Sequence, residues 1–226
     1  EGQKIIREYN CQGCHIIEGD GGAIELTIVD YLVNYEDMIE NEANVVAASF
    51  SPPNLIGEGK KVQPEWLYHF IREPNIVRPW LKVKMPTFPL NETQTNSLVK
   101  YFSYLDDQDF PFVDKIAPDH DSEMVQAGKL LFSEDYFSCG ICHIVGDKFP
   151  NGSPENWAPN FSLAKDRLKP GWMIDWITNP QDLLPGTKMP TFFDPEYFEW
   201  SGPDDILEGD EHKHIEALRD YIMTIK

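Results

Sequence analysis

Cys11-Gln12-Gly13-Cys14-His15 and Cys139-Gly140-Ile141-Cys142-His143 are the two stretches on which the reading of this chain turns. Each holds two cysteines separated by two residues, with a histidine directly after the second. The chain has 4 cysteines, so these strings use them all. Cys-x-x-Cys-His reads as an attachment site for c-type haem. The two thiols add to the vinyl groups on one edge of a porphyrin, and the next residue then lies under the iron, where an imidazole nitrogen can bind it. A Cys-x-x-Cys pair has other readings: a redox dithiol, half of a zinc site or part of a disulfide framework. Two such pairs together could form a four-thiolate zinc site. A thioredoxin-like motif needs a strand-helix context, which is not evident around Cys11 or Cys139.

A haem held in this way still needs a decision at its other face, since carriers close it with a second protein ligand and enzymes leave it open. Lys84-Met85-Pro86-Thr87-Phe88 and Lys188-Met189-Pro190-Thr191-Phe192 are identical strings, one after each histidine. A thioether is a soft, weak donor suited to iron that must be stable as Fe(II). The proline after it stops a helix and presents the sulfur from a loop. Met85 and Met189 are therefore the candidate second ligands to the irons of His15 and His143. The other methionines, Met38, Met124, Met173 and Met223, read as core gap-fillers or surface residues. His69, His120, His212 and His214 are rival ligands without a matched counterpart in the other half.

The correspondence extends beyond these strings. Pro53-Asn54-Leu55 answers Pro159-Asn160-Phe161, Pro64-Glu65-Trp66-Leu67 answers Pro170-Gly171-Trp172-Met173, Phe70-Ile71 answers Trp176-Ile177 and Pro74 answers Pro180, all in one register. Apolar spacing and proline starts predict helices over 2–10, 64–73, 92–105, 124–137, 170–179 and 212–225, and another around 26–41. No pair of alternating strands is evident. The reading gives a first domain over 1–105, an acidic, proline-containing linker over 106–121 and a second domain over 122–226. Each domain carries an insert, at about 21–51 and about 193–211. The inserts are haem covers or partner surfaces, or else solvated decoration.

The net charge of -19 makes nucleic acid and anionic membrane surfaces poor partners and a basic protein surface the natural complement. No apolar run approaches a membrane span, and no signal peptide is visible at Glu1. Gly57-Glu58-Gly59-Lys60-Lys61 lacks the features of a phosphate loop. The acidic run from Asp204 to Glu211 is a weak calcium candidate or a solvated loop. Each half is small for a self-sufficient core, and a buried haem would add apolar volume.

These motifs resemble the class I cytochromes c, here as two fused modules, over nearly the whole chain apart from the linker and inserts. The resemblance implies an all-α, loop-rich fold of two class I cytochrome c-like helical modules in tandem, with one covalent haem in each. It implies that the first and last helices of a module cross beside the haem. It assigns to the carbonyls of Pro53 and Pro159 the N–H of the ligand histidine, a contact that orients the ring and raises its basicity. It places Trp66 and Trp172 near a haem propionate, though plain core packing accounts for them equally well. The implied cofactors are two haem c groups, held by Cys11, Cys14, Cys139 and Cys142, with His15, Met85, His143 and Met189 on the irons. The implied function is one-electron relay between redox partner proteins, in the periplasm or otherwise outside the cytoplasm. The alternatives are a di-haem enzyme such as a peroxidase, or the electron-transfer domain or subunit of a larger dehydrogenase or quinol-oxidising complex. The inserts depart from minimal members of the family and could hide or alter a haem edge.

Overall fold

The computed structural model describes the chain apart from Asp114 and residues 194–201, so most of the insert expected at 193–211 lies outside the described residues. Helix predominates. Among the described residues the strands are β1 (Ile16–Ile17) and β2 (Asp20–Gly21), a two-residue antiparallel hairpin that the sequence patterning did not suggest. Among the described residues no helix is long and apolar enough to cross a membrane. The chain divides into two compact units. One comprises Glu1–Gly59, Pro64–Pro111 and Ser153–Asn156; the other comprises Lys60–Gln63, Phe112–Gly152 and Trp157–Lys226.

In the first unit, α1 (Gly2–Glu8) lies across α6 (Glu92–Leu105). Gly2 makes the crossing close: a Cβ there would overlap Tyr101 and come 2.8 Å from the Ser97 carbonyl. Ile5 and Ile6 are buried, as are Leu98, Val99 and Phe102. α5 (Pro64–Arg72) packs on α6 as well, burying Leu67 and Ile71. α6 begins with a capping box. Asn91 Oδ1 accepts the Gln94 N–H at 2.9 Å and Gln94 Oε1 accepts the Asn91 N–H at 3.0 Å. Asn91→Ala is expected to remove about 1 kcal/mol of stability. A urea titration should show the midpoint falling with an unchanged slope.

The single helix expected around 26–41 is instead two, α2 (Ile24–Tyr35) and α3 (Glu40–Phe50). Both the Glu36 and Met38 N–H groups return to the Leu32 carbonyl, and Asp37 between them has a left-handed backbone with φ 51°. That arrangement terminates a helix, and Asp tolerates the conformation better than most residues. The two helices then close on each other through Leu32, Ala43 and Ala47. α4 (Glu58–Lys61) is a single turn that starts in the first unit and ends in the second.

In the second unit, α7 (Glu123–Phe132) packs on α11 (Glu211–Ile222) along much of its length. Gly128 sits at this crossing. A Cβ there would run into the Ala217 carbonyl and come 2.8 Å from Tyr221 Cβ. α8 (Ala164–Arg167), α9 (Pro170–Thr178) and α10 (Pro180–Leu183) follow, and α9 also packs on α11. Leu131, Met173, Ile177, Ile215, Leu218 and Ile222 form the heart of this core. Residues 60–63, read in the sequence as part of the first half, belong here. Val62 bridges Leu168, the Gln63 N–H donates to the Arg167 carbonyl at 2.8 Å, and the Lys169 N–H donates to the Lys61 carbonyl at 2.9 Å. The Gln63 side-chain amide adds bonds to the Lys165 and Leu168 carbonyls.

Candidate haem-binding sites

The helix leading into each Cys-x-x-Cys-His string stops before the end expected for it, α1 at Glu8 and α7 at Phe132. The chain then reverses through a left-handed residue. Asn10 has φ 51° and ψ 43°, and Ser138 has φ 52° and ψ 38°. The cost of this backbone in a serine is offset locally, since the Ser138 N–H reaches the Ser133 carbonyl at 2.9 Å and its hydroxyl the Glu134 carbonyl at 3.0 Å. A 3₁₀ turn follows in both units, Cys11–Gly13 and Cys139–Ile141. The His15 N–H closes on the Cys11 carbonyl at 2.9 Å and the His143 N–H on the Cys139 carbonyl at 3.1 Å. Cys14 and Cys142 have nearly the same backbone angles, φ -111° and -110°. The residues between the cysteines differ, so the shared turn follows from the spacing and the left-handed entry.

All four thiols are free of disulfides. Burial raises the Cys11 thiol above its ordinary pKa and pushes Cys139 up to about 12. A dithiol built for redox exchange carries the opposite shift, a lowered pKa that exposes a thiolate. Among the described residues no three or more His, Cys, Asp or Glu side chains gather as a metal site, which a four-thiolate zinc centre needs. A haem iron asks for less, because the porphyrin supplies four donors and the protein only the axial ones.

The two imidazoles are held alike. His15 Nδ1 donates to the Pro53 carbonyl at 2.8 Å, and His143 Nδ1 donates to the Pro159 carbonyl at 2.9 Å. A carbonyl can only accept, so Nδ1 carries the proton and Nε2 keeps its lone pair, the atom a metal would take. Burial lowers the pKa of His15, and lowers that of His143 to about 4, so both rings are neutral at pH 7 and in the ligating form. The carbonyls are positioned by matching tethers. The Leu55 N–H donates to the Ile16 carbonyl and the Phe161 N–H to the Ile144 carbonyl. Asn54 Oδ1 accepts the Ile56 N–H, and Asn160 Oδ1 accepts the Ser162 N–H. His143 also lies flat on Phe161, with ring centroids 4.1 Å apart.

No family model, curated protein or solved structure matches this chain.

Each Met-Pro string is brought back to its cysteine string by an aromatic pair. Phe88 meets Tyr9 edge to face at 5.5 Å, and Phe192 meets Phe137 in the same way at 5.1 Å. Tyr9 and Phe137 both stand two residues before the first cysteine, a signal present in the sequence that the motif reading passed over. Met85 and Met189 are half-buried between exposed lysine and proline neighbours. The Met189 sulfur accepts the Trp176 indole N–H at 3.1 Å, and its loop is held by Gln181, whose amide donates to the Thr187 and Met189 carbonyls. Trp66 stacks on Phe70 at 4.6 Å and Trp172 on Trp176 at 5.0 Å, so each tryptophan packs on the ring one turn further along its helix.

Within the acidic run, Asp210 caps α11 by accepting the Lys213 N–H, and Lys213 pairs with Glu208. That is the ordinary work of a surface loop. His214 is fully buried and donates through Nε2 to the Ile206 carbonyl, a structural use of the ring.

Proposed function

We propose that the chain is a di-haem c-type cytochrome, two class I cytochrome c-like modules in tandem, that passes electrons one at a time between redox proteins outside the cytoplasm. The observation that carries this reading is the twin arrangement of the two histidines. Each directly follows a cysteine pair folded into the same 3₁₀ turn, and each gives its Nδ1 proton to a proline carbonyl, which leaves Nε2 free. Haem c would supply an iron that cycles between Fe(III) and Fe(II).

The chain's own residues would do the rest. Cys11 and Cys14, and likewise Cys139 and Cys142, would add their S–H groups across the vinyl bonds and fix each group in place. His15 and His143 would bind through Nε2. The carbonyls of Pro53 and Pro159 hold the rings oriented and make them better donors. Met85 and Met189 would be the second donors to the irons, which favours relatively high potentials. The -19 net charge would draw in a partner with a basic docking surface.

The protein as isolated is expected to give a pyridine haemochrome spectrum equivalent to two haems per chain. After denaturation it should show no reaction of any cysteine with a thiol reagent. Four titratable thiols, or a metal ion without porphyrin, would end the reading. Two haems, one of which reacts rapidly with peroxide, would turn it toward a di-haem enzyme.

A further inference from the structure

Resting on the di-haem reading above, we propose that Trp176 is a tuning residue: its indole N–H, donated to the Met189 sulfur, makes the two haems unequal and raises the potential of the second. The two Met-Pro strings are identical over five residues, so the ligand and its immediate neighbours cannot distinguish the sites. A hydrogen-bond donor at one sulfur would distinguish them.

In the second unit an indole N–H, which can only donate, lies 3.1 Å from Met189 Sδ. In the first unit the corresponding position is Phe70. The correspondence is structural as well as sequential. Phe70 stacks on Trp66 with planes 16° apart, as Trp176 stacks on Trp172 with planes 20° apart. A phenyl ring has no proton to donate. A thioether has two lone pairs, so one can accept the indole proton while the other remains for iron. Hydrogen bonding draws electron density from the sulfur and makes it a poorer donor. Ferric iron loses more by this than ferrous iron, so the reduced state gains. The protein's means of setting a haem potential include such contacts to the ligands. The asymmetry gives the relay a direction, with the second unit the lower-energy place for the electron.

The test uses the full two-haem protein. Potentiometric titration resolves the two midpoints, and the far-red sulfur-to-iron(III) band reports methionine ligation. Trp176→Phe is expected to lower one midpoint and leave the other, both sulfur bands remaining. The reduction equilibrium of that haem should fall about three- to tenfold, tenfold being about 59 mV for one electron. Both midpoints unchanged, or both lowered equally, would overturn the proposal. Loss of a sulfur band in Trp176→Phe would overturn it too, because the indole would then be supporting the loop rather than tuning the sulfur. If that variant does not accumulate with two haems, Phe70→Trp decides. A rise in one midpoint supports the proposal and no change overturns it. Failure of the underlying reading is seen separately, in the unaltered protein. Fewer than two covalent haems or a missing sulfur band there removes the cytochrome reading and this inference together.

Discussion

On the di-haem reading proposed above, a chain carrying Cys139→Ala and Cys142→Ala is expected to hold one covalent haem and to lose the fold of its second unit. Phe137, Phe192 and Phe193 gather beside the cysteine string, and Phe137 and Phe193 are almost fully buried. A porphyrin seated against such residues would bury more apolar surface than any side chain. Truncating one buried aromatic side chain already costs about 3–5 kcal/mol, against a total of about 5–15 kcal/mol for a domain. Losing the tether should therefore remove most of the unit's stability. The matching pair Cys11→Ala and Cys14→Ala should do the same to the first unit. Haem counting with circular dichroism and limited proteolysis checks both. Two tightly held haems in either variant, with both units protected, would mean that the thiols are not what anchors them.

Gly128→Val is expected to destabilise the second unit for a different reason. Helix propensity alone argues for replacing this residue, since a glycine inside a helix costs about 1 kcal/mol relative to alanine. Sterics argue the other way and win. A Cβ at Gly128 meets the Ala217 carbonyl, which is backbone and cannot swing aside, and Tyr221 Cβ stands 2.8 Å away. Separating α7 from α11 opens the largest helix contact of the unit, and overpacking of this kind costs about 1–3 kcal/mol or more. Gly171 in α9 is the control. A Cβ there would have nothing within 4 Å, so Gly171→Ala is expected to be neutral or slightly stabilising. The melting temperature of Gly128→Val should fall well below that of the unaltered protein while that of Gly171→Ala holds or rises slightly; equal melting temperatures would refute the steric account.

Gly2 and Gly128 carried no mark in the sequence that separated them from other glycines. Their meaning lies in tertiary approach, and only the helix opposite shows it. What was legible was short-range. The helix starts at Pro64 and Pro170 and the amphipathic span of 92–105 depend on neighbours a few residues apart, where spacing states the geometry directly. The break at Asp37 was harder. Leu26, Val29, Val33 and Ile39 sustain a helical period across it, and only the return of two N–H groups to the Leu32 carbonyl ends the helix there. The hairpin at Ile16–Gly21 is too short for alternation to register. The aromatic pairs Tyr9–Phe88 and Phe137–Phe192 were within reach, since each joins a residue just before the cysteines to the last residue of a Met-Pro string. Trp176 was visible as the counterpart of Phe70, but nothing in the sequence could say that its N–H would find a sulfur.

Residues 60–63 carry a practical meaning for anyone dividing this chain. Scissors applied at residue 111 would hand the downstream fragment every one of its helices from α7 onward, yet leave the backbone groups of Arg167 and Lys169 without the mates that Gln63 and Lys61 give them. The second unit includes a borrowed thread of four residues from upstream. A fragment meant to stand by itself must bring that thread along.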